Sequence, residues 1–317
     1  MKILQELPLS PEGRGSAMTI GVFDGVHRGH RHLFAQLVAR GKAQGLQPGV
    51  VTFRAHPAHV LKPGSEPHYL CTLEERLRLI REAGVGLAVP VTFDLALSKL
   101  SAREFVALLR ERLGMRELVV GPDFAMGHRR QGDVAALTKL GREMGFEVTM
   151  VAPLRERGLA VGSTAIRDAV ATGDLESANK LLGRNYTLEG KVVRGHGRGK
   201  PLGFPTANLE PEQGMVVPGN GIYVAWAHVE GRRLMAPTSV GTNPTFNDTG
   251  RTVEAFLLDF EGDLYGKRLR LEFVQRLRDE LKFDTVEVLQ RQVDADVEET
   301  RRLLGTTQGR REIEKRR

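Results

Sequence analysis

The first half of the chain alternates short apolar runs with stretches in which apolar residues recur every three or four positions. Runs of the first kind predict β-strands, and stretches of the second kind predict amphipathic helices. Strands are predicted at residues 18–23, 50–53, 87–91, 117–120 and 147–151. Helices are predicted between them, including one that opens at a Thr72–Glu75 capping box and two at 102–113 and 133–144. This alternation predicts a parallel sheet covered by helices on both faces.

After Gly183 the pattern changes to β-type runs that are separated by Gly, Pro and Asn instead of by helices. The runs are residues 188–193, 221–229, 252–260 and 268–273. They predict an antiparallel barrel or sandwich. One helix closes this half, with Asp284 and Glu287 in capping-box spacing at its start and Gly305 at its end.

Composition then limits the class of protein. A chain of 317 residues suits two domains, which we place at 1–184 and 185–305, before a basic tail at 306–317. One cysteine and no leader-like start predict a cytoplasmic protein, and no apolar run approaches the roughly 18 residues of a membrane span.

The net charge is +7, and the tail holds five Lys or Arg against two Glu, so the remainder is only mildly basic. That balance suits anionic small molecules at least as well as a polynucleotide.

The segment between the first predicted strand and helix reads GVFDGVHRGH at residues 21–30. At the carboxyl end of a strand that leads into a helix, the helix amides and dipole favour phosphate. His27 and His30 lie three residues apart with Gly29 between them, so both imidazoles can face a phosphate chain and donate hydrogen bonds to it. A pair of surface histidines and a metal site are the alternatives, although a third zinc ligand is missing nearby.

Four motifs in series carry a family resemblance. The segment at 21–30 resembles the nucleotidylyltransferase signature, and three further segments follow, TFRAHP at 52–57, GPDFAMG at 121–127 and STAIR at 163–167. Together they resemble the bacterial bifunctional riboflavin kinase/FAD synthetases over about residues 15–304. The resemblance implies a Rossmann-like nucleotidylyltransferase domain with a parallel sheet, followed by a riboflavin kinase domain that is an antiparallel six-stranded β-barrel with a terminal helix.

The resemblance also implies a nucleotide site in the first domain. Its predicted residues are Gly21, Phe23, Asp24, Gly29, Asp123, Ser163, Thr164 and Arg167, with His27 and His30 as catalytic residues. Ser-Thr-x-x-Arg can form an anion site at a helix start, although an ordinary helix start looks the same, and Asp123 can equally be a turn aspartate.

Phe53 and His56 are predicted to contact the flavin in the same domain. Two residues depart from the family pattern: Ala55 replaces a common Pro, and Met126 replaces a Phe. We expect both to alter loop stiffness or packing more than chemistry.

A glycine-rich loop opens the second domain, with Gly195, Gly199 and Gly203 predicted to lie against ATP phosphates through backbone amides. A flexible linker would have the same composition, and the loop is not a Walker A sequence. Thr206 and Asn208 lie two apart in an extended segment, so both can offer an oxygen to a magnesium–phosphate complex. The segment GFPTAN at 203–208 resembles the riboflavin kinase signature.

Glu254 lies in a predicted strand whose alternation places it on the face of Phe256, Leu258 and Phe260. Burying a carboxylate among apolar neighbours costs free energy unless it has a partner, has a functional role or reaches water at the strand end. The resemblance implies that Glu254 is the kinase base. Asn243 and Arg278 lie in segments that resemble flavin-proximal loops, although a turn and an exposed helix start would look the same.

The resulting hypothesis is phosphorylation of riboflavin to FMN, then adenylylation of FMN to FAD, with ATP as co-substrate and Mg²⁺ in both reactions. In one alternative, the protein retains only one of these two activities. Another is a flavin- or nucleotide-responsive RNA-binding module, which one Trp and four Tyr disfavour because stacking surfaces are rich in aromatic residues. We expect no nucleic-acid or membrane partner, and the sequence indicates no oligomeric state.

Overall fold

The computed structural model describes residues 2–9, 15–62, 64, 68–156, 158–195, 202–242 and 251–315. Contacts between Cα atoms divide the chain into two compact units. The sheet unit comprises Met1–Pro67 and Leu73–Ser163, and the barrel unit comprises His68–Thr72 and Thr164–Arg317.

The sheet unit is built from alternating strands and helices. Its strands are β1 (Ser16–Ile20), β2 (Gln47–Phe53), β3 (Leu87–Val91), β4 (Met115–Val120), β5 (Ala125–Met126), β6 (Gly132–Asp133), β7 (Glu147–Met150), β8 (Arg155–Glu156) and β9 (Leu159–Ala160). Its helices are α1 (Ile3–Glu6), α2 (Arg28–Gln44), α3 (Ala58–Leu61), α4 (Leu73–Glu82), α5 (Leu95–Ser98), α6 (Ala102–Leu113) and α7 (Val134–Met144). Five strands pair in parallel in the order β3-β2-β1-β4-β7, which leaves β3 and β7 at the edges.

Helices cover both faces of this sheet, as the alternating pattern predicted. Phe105 and Leu109 of α6 pack on one face with Met18 of β1. Phe34 of α2 and Leu79 of α4 belong to the core on the other face. Because parallel strands are buried on both sides, their sequences read as continuous apolar runs.

The barrel unit closes six antiparallel strands in the order β10-β11-β14-β13-β12-β15. These are β10 (Tyr186–Val193), β11 (Thr206–Pro211), β12 (Gly221–Val229), β13 (Arg232–Thr242), β14 (Arg251–Phe256) and β15 (Arg268–Arg278). The unit also holds α9 (Leu175–Leu182), α10 (Val286–Lys315) and, from Thr164 onward, α8 (Ser163–Thr172). The fold is therefore the predicted barrel, and the sandwich alternative is wrong.

Alternate residues of the barrel strands fill its interior. Ala207 and Leu209 of β11 and Val253 and Ala255 of β14 belong to one buried core with Phe273 of β15. The residues between them face outward, where Leu304 of α10 packs against Trp226. A side chain that serves a ligand on these strands therefore lies on the outer surface of the barrel.

Helices α8 and α9 pack into the same core through Ile166, Val170, Leu175 and Leu182. The compact units consequently divide after Ser163, earlier in the chain than the boundary that we predicted for the functional domains. That boundary, between 184 and 185, stays a prediction, because compactness and function need not divide a chain at the same residue.

The terminal helix differs from its prediction at both ends. It begins at Val286, where the Thr285 hydroxyl accepts the N–H of Val288 at 3.3 Å, and it continues past Gly305 to Lys315. The predicted end at Gly305 is therefore wrong, since that glycine lies within the helix. In the part of the chain that the structure describes, no helix combines the length and the apolar composition needed to cross a membrane.

Candidate functional site

The first candidate site lies at the carboxyl edge of the sheet, where β1 leads into α2. Gly21 follows the strand, and Phe23 then has a left-handed backbone with φ of 51° before a 3-10 turn over Asp24–Val26. Val26 has φ of 40°, which is rare for a β-branched residue. His27 follows as the N-cap of α2. Left-handed backbone at residues other than glycine is concentrated at functional loops.

The two histidines of this loop, which we call the histidine loop (residues 21–30), lie face to face. Their ring centroids are 3.6 Å apart, and the ring planes meet at 20°. Nδ1 of His27 accepts the backbone N–H of His30 at 3.3 Å, which caps α2. The ring of Phe23 meets the ring of His30 edge-on, with centroids 5.2 Å apart. His27, with 3% exposure, is therefore held in one orientation.

Two glycines of the motif make room for protein groups. A Cβ on Gly21 would lie 2.9 Å from the ring of Phe23, and one on Gly29 would lie 2.8 Å from the carbonyl oxygen of Val161. The resemblance predicts Gly29 as a residue of the nucleotide site. The space beside its Cα is taken by Val161 and the His27 ring, and its part in nucleotide binding stays a prediction.

Ser163 reaches the histidine loop from the start of α8. Its hydroxyl donates to the carbonyl of Asp24 at 3.1 Å, and Asp24 itself is 2% exposed. Of the three residues predicted in the STAIR segment, Ser163 is the one that lies in the sheet unit. Thr164 is exposed and Arg167 half-buried in the barrel unit, and their part in nucleotide binding stays a prediction.

A largely apolar cavity of about 530 Å³ opens beside the histidine loop. Gly21 and Val22 line the side next to the histidines, and Phe53 lines another side at the end of β2. The remaining lining residues come from the helices and loops around the carboxyl edge of the sheet. They include Pro57, Leu61, Phe93, Leu97, Leu100, Phe105, Phe124 and Met126. A cavity with such a lining suits a ligand group that is largely apolar.

Two predicted residues lie at the margin of this cavity. Asp123 is exposed on its rim, and its carbonyl accepts a hydrogen bond from Arg130 at 3.1 Å. Pro57 is among the described lining residues and His56 is not. Nδ1 of His56 accepts the N–H of Ala58 at 3.1 Å, at the start of α3. Contacts of Asp123 and His56 with substrate stay predictions.

The second candidate site lies on the outer face of the barrel, where β11 and β14 run side by side. Asn208 pairs with Glu254 in the register of the two strands, and Thr206 pairs with Phe256. The hydroxyl of Thr206 donates to Oε2 of Glu254 at 3.1 Å. The predicted common orientation of Thr206 and Asn208 is confirmed, since the alternate residue Ala207 is buried in the core.

A cavity of about 290 Å³ lies against this face. Thr206, Glu254 and Phe256 line it from the barrel, and Leu289 and Val293 line it from α10. The predicted neighbours Leu258 and Phe260 do not share this face, because β14 ends at Phe256 and Asp259 has a left-handed backbone with φ of 57°. The alternation stops there, so that part of the prediction is wrong.

Arg278 is the last residue of β15 and lines the same cavity. Its guanidinium forms an ion pair with Asp296 of α10 at 2.6 Å, and its Nη1 donates to the carbonyl of Asp279 at 2.9 Å. The structure thus places the predicted Arg278 beside Glu254 in one cavity, at a strand end and not at a helix start.

The glycine-rich loop is described only at its two ends. Gly195 leaves no space for a Cβ beside the side-chain amide of Asn208, and Gly203 has a left-handed backbone with φ of 86°. A substitution at either glycine would therefore disturb the segment that carries Thr206 and Asn208. The predicted Gly199 and Asn243 lie outside the described residues.

Sequence reasoning missed two polar residues at these sites, Arg76 below the histidine loop and Asp296 beside Arg278. Each lies in a helix, 54 residues from Val22 for Arg76 and 18 residues from Arg278 for Asp296, and no motif marks either of them. Within the residues that the structure describes, no three His, Cys, Asp or Glu side chains converge as a metal cluster. The predicted metal ligands, Thr206 and Asn208, are of other residue types.

Two family models match successive parts of the chain. A family model described as FAD synthetase matches residues 9–165, and one described as riboflavin kinase matches residues 182–304. The bifunctional riboflavin kinase/FMN adenylyltransferase of Escherichia coli K12 is 35% identical over 306 residues, which cover 96% of this chain and 97% of the relative. The enzyme of that name from Pseudomonas fluorescens is 38% identical over 303 residues, with coverage of 93% and 95%.

A solved structure extends the likeness to the fold. A crystal structure described as a macrolide-efflux protein from Streptococcus pneumoniae superimposes with a TM-score of 0.83 and 30% sequence identity. The match covers 92% of this chain and 95% of that one.

Proposed function

Because this chain belongs to the family of bifunctional riboflavin kinases/FMN adenylyltransferases, we propose that each activity uses the candidate site of one unit. The chain is an enzyme that transfers the terminal phosphoryl group of ATP to riboflavin and then the adenylyl group of a second ATP to FMN. We assign the first reaction to the outer face of the barrel and the second to the histidine loop and its cavity.

The position of Glu254 is the main support for placing the kinase site on the barrel. It lines the cavity between β14 and α10, and its carboxylate accepts the Thr206 hydroxyl at 3.1 Å. In the reaction, the terminal ribityl hydroxyl attacks the γ-phosphorus of ATP, its proton passes to Glu254, and the bond to ADP breaks. Phosphoryl transfer depends on alignment and charge neutralisation as well as on removal of this proton, so the fixed position of the carboxylate contributes together with its role as the base.

Thr206 and Asn208 fit a magnesium site in the kinase. They present a hydroxyl and an amide oxygen on the same outer face, in register with Glu254, and hard oxygen donors are what Mg²⁺ prefers. Mg²⁺, when bound there with ATP, neutralises negative charge on the phosphates. Gly195 keeps the side chain of Asn208 in place, because a side chain at that position would overlap with it.

The stacked pair of His27 and His30 is the main support for placing the adenylyltransferase site at the histidine loop. A phosphate oxygen of FMN attacks the α-phosphorus of ATP, and the bond to pyrophosphate breaks. The attacking oxygen is already charged, so no protein base is needed. His27 and His30 donate hydrogen bonds to oxygens that gain charge, while the apolar cavity beside Phe53 accepts the isoalloxazine ring.

We also propose that the enzyme works in the cytoplasm. Its sequence holds a single cysteine, Cys71, which is 2% exposed, and chains with so little cysteine are typical of reducing compartments.

A chromatographic time course of the purified protein with riboflavin, excess ATP and Mg²⁺ tests the function. FMN should rise first and then give way to FAD, and both steps should stop when a chelator removes Mg²⁺. FMN that accumulates without FAD would contradict the adenylyltransferase assignment. No conversion of riboflavin or of added FMN would contradict both assignments.

A further inference from the structure

Arg76 is a buried arginine at the carboxyl edge of the sheet. It lies in α4 with 1% exposure and is among the largest fully buried side chains of the described residues. Arg78, two residues further along the same helix, has a side chain that is 47% exposed and pairs with Glu75 and Glu82. Burying a guanidinium costs free energy, so the position of Arg76 calls for specific partners.

The described partners of Arg76 include two backbone carbonyl groups at the ends of neighbouring strands and the hydroxyl of Thr52, which accepts from Nη1 at 3.4 Å. Its Nη1 donates to the carbonyl of Phe53 at 2.8 Å and to the carbonyl of Val22 at 3.0 Å. The hydroxyl of Thr52 also donates to the carbonyl of Val22, at 2.9 Å. One guanidinium therefore joins the segment after β1 to the last residue of β2.

These two segments serve different substrates under the proposed function. Val22 lies in the histidine loop, five residues before His27, whereas Phe53 forms a wall of the apolar cavity. Arg76 connects the two through carbonyl groups that lie at or beyond the strand ends. Val22 and Phe53 also line the same cavity, so a shift of either one changes the spacing between the ring-binding and phosphate-binding parts of the site.

We propose that Arg76 is a positioning residue for adenylyl transfer, which fixes the distance between the histidine loop and the flavin cavity. This inference rests on the proposed function, because it takes the histidine loop and the cavity as the two halves of one site. Alignment of two bound reactants is sensitive to small displacements, and a shift of about 1 Å can lower a rate by about 100-fold. Loss of Arg76 should therefore slow the chemical step more than it weakens the binding of either substrate.

The test compares three variants of the full chain, Arg76→Lys, Arg76→Met and Arg78→Met. Steady-state kinetics of FAD formation give kcat and the KM values for FMN and ATP, and phosphorylation of riboflavin by the same samples reports on the rest of the protein. In Arg76→Met, kcat for FAD formation should fall on the order of 10- to 100-fold, with both KM values within about threefold of the parent. Arg76→Lys should lie between Arg76→Met and the parent, because an ammonium retains the charge and some donors but not the planar fork.

Arg78→Met is the matched control on the same helix and should behave as the parent in both reactions. If Arg76→Met does not fold, Arg76→Lys decides the question alone. Unchanged kcat in a folded Arg76→Lys and Arg76→Met would overturn the inference, and so would a rise in KM without a fall in kcat, which would indicate binding instead of positioning. Full FAD formation by variants without His27 and His30 would instead contradict the proposed site itself, whatever the Arg76 variants do.

Discussion

The guanidinium of Arg278 and the carboxylate of Asp296 meet at two points, with Nε 3.0 Å from Oδ1 and Nη2 2.6 Å from Oδ2. The pair joins the last residue of β15 to α10, and both residues line the cavity that holds Glu254. Gln292 also donates to Oδ1 of Asp296, at 3.1 Å. The two side chains are only 20% and 10% exposed, so this pair is better shielded than an ordinary surface pair.

Asp296→Asn should weaken the kinase selectively. The substitution removes the charge that holds Arg278 and leaves a half-buried guanidinium with a poorer partner, which destabilises the contact between α10 and the barrel. We expect kcat/KM for riboflavin phosphorylation to fall about tenfold or more, while FAD formation from supplied FMN is unchanged. Asp294→Asn, at an exposed position of the same helix, is the control and should leave both reactions as they are. An unaltered kinase in Asp296→Asn would show that the pair does not support the cavity.

Glu254→Gln should stop the kinase and spare the adenylyltransferase. The amide keeps the size of the side chain and an oxygen for the Thr206 hydroxyl, but it cannot take the proton of the ribityl hydroxyl. FMN formation should fall at least about 100-fold, as is common for loss of a general base. Glu210→Gln, at an exposed position of β11, is the control. Normal FMN formation by Glu254→Gln would remove this residue from the mechanism.

His27 has two tasks that a pair of substitutions can separate. His27→Ala removes both the imidazole and the cap of α2, whereas His27→Asn restores an oxygen that can accept the N–H of His30. Both variants should lose about 100-fold or more in FAD formation. Only the alanine variant should also lose about 1 kcal/mol of stability. His32→Ala on the same helix controls for loss of an imidazole, and thermal unfolding with chromatographic assay of FAD distinguishes the outcomes.

The carboxyl group of Glu272 leads us to predict that the stability of the barrel unit depends on pH. Burial alone would raise the pKa of this carboxyl, but hydrogen bonds from His228 and Asn185 and the charge of Arg233 outweigh burial and lower the pKa from 4.5 to about 2. A carboxyl whose pKa is lowered in the folded state stabilises the protein at pH values above its pKa in the unfolded state, which is near 4.5. This contribution is lost as the pH falls toward 2. The full contribution is on the order of 3 kcal/mol.

Denaturant unfolding of the parent and of Glu272→Gln between pH 7 and pH 3 measures that contribution. The difference between the two proteins should be constant above about pH 5 and should shrink at lower pH. For the control Glu210→Gln, the difference from the parent in free energy of unfolding should not vary with pH in this way. A difference between the parent and Glu272→Gln that stays constant down to pH 3 would contradict the lowered pKa.

Much of the fold follows from local sequence patterns. The five parallel strands were located to within about three residues, because strands that are buried on both faces carry distinct apolar runs. Strand β13 was missed, since Pro237 and Gly241 interrupt its sequence and normally argue against a strand interior. The extension of α10 past Gly305 was missed for a similar reason, because a glycine after an apolar stripe reads as a helix end.

The sites were predictable where the chemistry lies within one continuous segment. The proximity of His27 and His30 follows from their spacing at a helix start, although their stacking was not predicted, and the shared face of Thr206 and Asn208 follows from strand periodicity. The pairing of Asn208 with Glu254 depends on which strands become neighbours when the barrel closes, and local pattern does not encode that choice. Arg76 lies 54 residues from Val22, and only the packing of α4 against the strand ends brings them together.

The two units protect their backbone from unwanted pairing with other chains in different ways. A closed barrel has no exposed strand edge, whereas the open sheet has two, at β3 and β7. Edge β3 carries Pro90, which has no N–H to offer to an incoming strand, and the N–H of Thr92 just after it is bound by the carboxylate of Glu6. Edge β7 is only four residues long and begins with a charged residue, Glu147. Resistance to aggregation in the sheet unit therefore depends on a few side chains at its margins, and replacing Pro90 by a β-branched residue would create a template for intermolecular β-structure.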